Sequence, residues 1–549
     1  MTTGAHLPAR EDRDMFDRRQ LLSIAVQGAA LAGLPAMAEK PAANRNQSDL
    51  AEFGIVNVRS FGALGDGRAI DSPAINRAID AAAAAGGGTV YFPAGIYASY
   101  SIRLKSHISL FLDQGATILA ASTPLEGTIG GGYDTAEPQG EWEPYQDYGH
   151  NHWHNSLIWG EGIHDFSIVG SGLIWGKGLT RNHLSDKNLP ASSKPGVGNK
   201  AIALKNCHNV ILRDFSILEA GWFGILATGV DNLTIDNLKI DTNRDGMDID
   251  CCRNVRVSNC TVNSPYDDGI CPKSSYALGY ARPTENLTIT NCFVTGSYEV
   301  GSVLNGTWKR MPDAFSPDAT GRIKCGTESN GGFRNVTISN CVFEHSRGFA
   351  LETVDGALCE DITFVGVTMR GTLNSPMFLR LGSRMRGPVG ASVGTLKRVI
   401  ISNVTSYGAV QLPSILSGVP GHPIEDVKIS DVYLHQIGGA DDPGAKFHVP
   451  EAEGEYPEPT MFGTLPATGF FIRHVRNLEM SNIEIAVEKA DQRPALTLVD
   501  VDGADFFRVR VPRESTSRAF RLSQVGSFRV FGSQFVRDQE SAHVDDNAT

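Results

Sequence analysis

The stretch TNRDGMDIDCC, from Thr242 to Cys252, places Asp245, Asp248 and Asp250 within six residues of a segment otherwise patterned as β-strand, and PYDDGICPKS then adds Asp267 and Asp268. Asp245 and Asp267 are 22 residues apart (267 − 245). Carboxylates crowded together cannot all ionise, so one holds a proton and can act as a general acid while another activates water. That division of labour suits glycosidic bond cleavage, with carboxyl separations of about 6.5–9.5 Å for inversion and about 5 Å for retention. Direct stacking of the acids favours the short separation and diagonal placement the long one. Solvated turn acids or a calcium site would use the same residue types. Successive strand residues point to opposite faces, so Asp267 and Asp268 require a bulge or a strand end.

The elements that must hold these acids are repeats. HNVILRDFSI (from His208), DNLTIDNLKI (from Asp231), RNVRVSNCTV (from Arg253), ENLTITNCFV (from Glu285) and RNVTISNCVF (from Arg334) share one template, and weaker copies start at Glu360, Lys397, Glu425 and Arg476. The closest starts are 23 (231 − 208) and 22 (253 − 231) residues apart. Alternating Val, Ile, Leu and Thr at this period indicates a β-solenoid, with wider gaps as loops inserted between coils. The 22-residue step from Asp245 to Asp267 matches one coil, which places both acids on neighbouring coils of one sheet. Stacking also predicts an Asn ladder at Asn237, Asn259, Asn291, Asn340, Asn403 and Asn482, with Asp214 and Asp431 substituting, because Asn tolerates left-handed backbone and bridges turn groups. The sequons at Asn232 and Asn335 follow from the template and carry little information on glycosylation.

Nine cysteines fall between Cys207 and Cys359, without metal-ligand spacing. Their odd number leaves at least one thiol unpaired. Cys260, Cys292 and Cys341 directly follow ladder asparagines and read as an apolar internal stack. In DSPAINRAIDAAAAAGGG, Ser72 as cap, Pro73 in the first turn and the glycines after Ala85 predict a helix that covers the open end of the solenoid. Arg18-Arg19, a short apolar stretch and Ala36-Met37-Ala38 mark residues 1–38 as a twin-arginine-type export signal, implying a periplasmic or secreted protein. A linker at 39–52, one elongated all-β domain at 53–536 and a disordered tail at 537–549 complete the expected organisation. The net charge of −12 and the lack of a basic run argue against nucleic acid as a partner, and no segment after the signal has the length to cross a bilayer.

The ordered set NRDGMD, DDGICPKS and GRIKCGT resembles the catalytic signature of the polygalacturonase family of glycoside hydrolases, family twenty-eight, and NVRSFGALGDG with AAGGGTVYFPAGIY resembles the start shared by pectin-degrading β-helices. The resemblance covers nearly all of the mature chain and implies a right-handed parallel β-helix. The family's Asn-Thr-Asp corresponds to Asn243-Arg244-Asp245, with Arg in place of Thr. Its Asp pair corresponds to Asp267-Asp268, and its Arg-Ile-Lys to Arg322-Ile323-Lys324. It implies Asp267 as general acid, Asp245 and Asp268 as the pair holding water, an inverting hydrolysis, and Arg322 and Lys324 as ligands of a sugar carboxylate. The family's Gly-His-Gly is absent; GSYEVGSVLNG stands there, with Glu299 near the histidine's place. That departure favours an exo-acting relative, or one acting on rhamnogalacturonan, over an ordinary endo-polygalacturonase.

Asn243, Lys273, Glu299 and His154 complete the expected substrate-binding set. The insertions containing EPYQDYGHNHWHNSLIWG and NGTWKRMPDAFSPDATG bring aromatics, His150, His152, His154, Lys309 and Arg310 to loops beside the cleft. The histidines alternate with Asn and Trp without a completing ligand, so neither a metal nor another cofactor is called for. The expected partner is a pectic polysaccharide or oligosaccharide, met by a monomer. A lyase or uronate epimerase on the same scaffold, and a noncatalytic carbohydrate-binding solenoid, are the alternatives.

Overall fold

A computed structural model of the protein describes residues 54–123, 132–181, 191–444, 446–512 and 518–548. The expected export signal at 1–38 and linker at 39–52 lie outside the described residues. One coil shows how the template folds. Asp231–Asp236, Lys239–Asp241 and Asp245–Asp250 are three strands separated by tight bends, and each pairs in parallel with its equivalent one coil on, Arg253–Ser258, Thr261–Asn263 and Ile270–Lys273. Repetition of this unit makes a parallel β-helix, as the sequence period predicts. Leu233, Ile235, Ile240, Met247 and Ile249 point inward and are fully buried, and their counterparts on neighbouring coils extend one continuous apolar core.

The bends are built from asparagine. Asn237, Asn259, Asn291, Asn340, Asn403 and Asn482 have φ between 53° and 58°, and Asp214 and Asp431 share the left-handed region. Asn237 Nδ2 donates to Asp214 Oδ1 at 2.9 Å and Asn482 Nδ2 to Asp431 Oδ1 at 3.0 Å, while Asn259 Nδ2 donates to Asp236 Oδ1 at 2.8 Å. A second ladder occupies another bend, where Asn232, Asn254, Asn286 and Asn335 each donate to the asparagine one coil before at 2.8–3.3 Å. All nine cysteines are buried and unpaired.

Helix α1 (Ser72–Ala84) buries Ala74, Ile75, Ala78, Ile79 and Ala82 against the first coils. Ser72 is its first residue rather than its cap. Asp71 takes the cap position, and its carboxylate accepts from the Leu64 and Gly65 amides at 2.7 and 3.0 Å instead of closing the helix. At the other end the structure departs from the expected disordered tail: Gln539–Ala548 is a strand that runs antiparallel to Phe520–Phe531. No helix among the described residues is long and apolar enough to cross a membrane.

The acids lie on the sheet formed by β1 (Phe223–Thr228), β2 (Asp245–Asp250), β3 (Ile270–Lys273), β4 (Ile323–Cys325) and β5 (Phe349–Thr353). Register runs Met247–Ile270–Ile323–Phe349, all inward. β4 therefore follows β3 directly, and residues 296–322 are an excursion rather than a coil of their own. The excursion folds back on itself through the antiparallel Tyr298–Arg310 bridge and the Glu299 amide bond to the Lys309 carbonyl at 2.8 Å. Its far end is pinned to the Asp pair, because the Gly321 amide donates to the Asp267 carbonyl at 2.9 Å.

Candidate active site

Two loops are seated on the outer face of this sheet by apolar clusters of their own. Trp153, Tyr148 and Trp222 pack with Ala203, Phe223, Leu226 and Ala277, which fixes the insertion before β1. Val449, Phe462, Leu465 and Ala467 pack with Ala350, Phe378, Ile415 and Phe471, which fixes the insertion that carries Tyr456 and Glu458. The acids lie between them. Asp245 is the first residue of β2, and Asp267 and Asp268 form the turn that leads into β3, the strand end their adjacency required.

At this corner the backbones approach too closely for side chains. A Cβ on Gly246 would lie 2.3 Å from the Gly269 carbonyl oxygen and 2.5 Å from Val262 Cγ1. The approach lets the Gly246 amide donate to the Asp268 carbonyl at 3.0 Å and the Asp268 amide donate to Asp245 Oδ1 at 3.2 Å. One oxygen from each of Asp245, Asp267 and Asp268 lies within 4.8 Å of the others. The coil stack thus brings together the three acids expected from sequence.

Their surroundings differ. Asp268 is buried and accepts from Arg322 Nε (2.8 Å) and Lys324 Nζ (2.6 Å), one on each oxygen. Burial works against its charge, but Lys324 and Arg322 outweigh it and hold the carboxyl below its ordinary value. Asp267, with 25% of its side chain exposed, accepts from Arg244 Nε (3.1 Å) and Nη2 (2.6 Å) on a single oxygen. Here too the opposing effect of burial is overcome, first by Arg244, and the carboxyl is held low. Asp245 is buried and has no such cation against it; burial first, then the charges of Asp267 and Asp248, push it well above the usual carboxylate range. Of the three carboxyls, Asp245 is the one whose surroundings favour the protonated form.

The remaining expected residues divide. Asn243 is partly exposed and accepts from the Ala220 amide at 3.2 Å, at the edge of a recess of about 540 Å³ that Lys177, Arg181, Tyr266 and Glu299 also line. Glu299 does not stand in for a histidine beside the acids: it lies on the excursion and pairs with Lys309 at 2.8 Å. Arg322 and Lys324 are not open to a ligand carboxylate, since both are buried against Asp268, with Glu458 3.0 Å from Arg322 and the Tyr456 hydroxyl 3.4 Å from Lys324. Lys273 is buried and pairs with Glu328 at 3.0 Å and Asp248 at 3.9 Å. His154 belongs to the coil three below β2, where it pairs with Glu161 at 2.9 Å and lies against Trp159.

The histidine that joins the site is His150. It is buried, its Nε2 is 2.9 Å from Asp248 Oδ2, and it comes within 4.8 Å of Asp245. Burial and Lys273 oppose its charge, but Asp248 and Glu328 hold its pKa above the ordinary imidazole value. Only the His-rich spacing of the loop pointed toward it. Sequence reasoning also missed Arg244 as a partner of Asp267, Glu458 as a partner of Arg322, and Glu352 on β5. Glu352 is buried with neither oxygen hydrogen-bonded, and desolvation lifts it to about 7 against the pull of Lys324 and Arg322. Two donor sets that include Asp245 could offer a cation three ligands, His150/Asp245/Asp248 and Asp245/Asp267/Asp268. In both, protein cations already meet the negative charge: Lys273 in the first, and Arg244, Arg322 and Lys324 in the second.

A family model described as rhamnogalacturonase A/epimerase, pectate lyase-like, matches residues 55–270. A probable polygalacturonase of Vitis vinifera is 24% identical over 399 residues, 68% of this chain and 73% of that protein. Plasmin and fibronectin-binding protein A of Streptococcus pneumoniae is 29% identical over 266 residues, 45% of this chain but only 32% of that protein. The fold is shared with an exopolygalacturonase from Thermotoga maritima, at a TM-score of 0.57 and 19% identity over 79% of this chain and 91% of that one.

Proposed function

We propose, for a chain that belongs to the polygalacturonase-like family of parallel β-helix proteins, the inverting hydrolysis of a galacturonic-acid-containing pectic polysaccharide or oligosaccharide from its chain end. The observation that carries the proposal is the grouping of three carboxyls within 4.8 Å, of which Asp267 alone is partly open to solvent. In this reading Asp267 reaches the glycosidic oxygen as the acid, and Asp245 and Asp268 hold the attacking water from behind. The short spacing by itself suits retention. Retention, however, needs a carboxylate oxygen free to bond the anomeric carbon, and both oxygens of Asp268 are occupied by Arg322 and Lys324 while Asp245 is buried and accepts from the Asp268 amide. Displacement by water fits these groups better.

Exo action is supported by the closure of the cleft, where Tyr456 and Glu458 cover Lys324 and Arg322 and Glu458 also bonds Asn374 at 2.6 Å. The name of the similar Thermotoga maritima exopolygalacturonase agrees with it. The sequence of residues 1–38 supports action outside the cytoplasm.

Anomer-resolved NMR of products from homogalacturonan and rhamnogalacturonan oligomers tests the reading: inverted mono- or disaccharides released without an early fall in viscosity are expected. Retained configuration, or an ultraviolet-absorbing unsaturated product, overturns it. The similarity to a plasmin- and fibronectin-binding protein favours one rival, a binding solenoid without turnover. In that case Asp267→Asn would leave function intact.

A further inference from the structure

We propose that Arg244 is both the anchor for a carboxylate of the substrate and the gate that decides whether Asp245 or Asp267 carries the acid proton, an inference that rests on the uronate-hydrolysing reading above. Three cations touch the Asp trio. Arg322 and Lys324 have side chains only 2% and 4% exposed and are bound to Asp268, whereas Arg244 is 29% exposed. Its guanidinium rests on Trp222, 4.7 Å from the ring centroid, and gives two N–H donors to one oxygen of Asp267. A planar fork supported on an aromatic face and turned to the cleft matches a carboxylate in a bidentate pair. Arg244 also stands where the family motif has Thr, so the chain adds a cation at this position.

Arg244 cannot serve a substrate carboxylate and Asp267 with the same donors. When the substrate takes them, Asp267 is left between Asp245 and Asp268 without its counter-ion. The O–H bond of Asp245 then breaks and that of Asp267 forms, across a gap that one water can bridge. No proton is gained or lost. The result is a protonated Asp267 facing the leaving oxygen and two anions, Asp245 and Asp268, to hold water.

The other charges around the pair have partners of their own. On the Asp267 side, Lys324 is bound to Asp268, and Asp147, which faces Arg244, pairs with Arg386 at 3.4 Å. On the Asp245 side, Asp248, Lys273 and His150 form one buried network. Arg244 is the partner that can leave. Before binding, its charge draws the trio's proton equilibrium to lower pH; once it has moved to the substrate, that influence is gone.

The pH dependence of oligogalacturonate hydrolysis tests this. For the wild-type protein, the alkaline limb of kcat, which reports the complex, is expected above the alkaline limb of kcat/KM, which reports the free protein. In Arg244→Thr the kcat/KM limb rises by about 1–2 pH units, the kcat limb stays in place, and KM increases at least about tenfold. Arg244→Lys, which keeps the charge without the fork, restores the low kcat/KM limb. Two limbs that coincide in the wild type and rise together in Arg244→Thr would mean that Arg244 never leaves Asp267. Limbs that do not move would mean that it does not govern the proton. Either result overturns the gate while hydrolysis continues. If the wild type releases no reducing ends from any galacturonan, the hydrolase reading itself fails.

Discussion

The bends of this β-helix and the corner at Asp245 stack like residues on like residues, with opposite electrostatic results. An asparagine amide both donates and accepts, so each rung of the Asn209–Asn232–Asn254–Asn286–Asn335 ladder satisfies the next and no cation is needed. Carboxylates only accept. Stacked on neighbouring coils, Asp245, Asp267 and Asp268 repel unless a cation or a proton intervenes, and their surroundings differ accordingly: Asp268 has Arg322 and Lys324, Asp267 has Arg244, and Asp245 has burial that favours its protonated form. Repetition thus makes a scaffold where the stacked group is self-complementary, and a reactive centre where it is not.

The contrast can be broken at its strongest point first. Asp267→Asn removes the one acid facing the cleft, and kcat should fall by about 10²–10⁴-fold, read by reducing-end release, with the melting temperature little changed. Asp268→Asn removes the charge that Arg322 and Lys324 share, leaving Arg322 with Glu458 alone and Lys324 without a carboxylate; chemical denaturation at neutral pH should show a loss of about 3–5 kcal/mol, the cost of breaking a buried ion pair. A carboxyl held low in the folded state contributes stability above its unfolded pKa and loses it as the pH falls. The difference between wild type and Asp268→Asn should therefore shrink toward acid.

Asp245→Asn should change stability in the other direction. Its folded pKa is raised, so the carboxyl is best tolerated below its unfolded pKa and costs stability as the pH rises through the folded value. The amide keeps an acceptor for the Asp268 N–H and cannot ionise. A gain of about 1–2 kcal/mol at neutral pH, with activity lost, is expected from parallel melts and assays. The smallest effect belongs to the ladder. Asn254→Gly keeps the left-handed bend and deletes only its two amide bonds, so it should cost about 0.5–1 kcal/mol and leave turnover unchanged. A loss of turnover there would tie the two faces together in a way the structure does not.

What could be read from the sequence follows the same division. The Asn ladder, the inward Val and Ile positions and the 22-residue step to Asp267 are periodic, and periodicity survives without coordinates. The three acids were legible because they ride on that period. Arg244, His150 and Glu458 were not recognised as partners of these acids, because their meeting depends on loops seated by apolar clusters far from the motif, 98 residues between His150 and Asp248 and 136 between Arg322 and Glu458. The same loops explain the misplaced expectations. His154 lies only four residues from His150, yet its side chain follows the lower coil to Glu161, and Arg322 and Lys324 were read as free cations because Asp268 was not seen to be between them. Glu299 was expected at the histidine's place, but the direct pairing of β3 with β4 leaves it on the excursion, paired with Lys309.

The reversed strand at Gln539–Ala548 bears on how the protein lives in a crowded solution. A stack of parallel coils ends in a row of open amides and carbonyls onto which another molecule's coils could in principle grow, end to end, without limit. A final strand laid against the grain offers such a newcomer the wrong hydrogen-bond pattern, and with α1 over the first coils it makes the solenoid a finite object rather than the seed of a fibre.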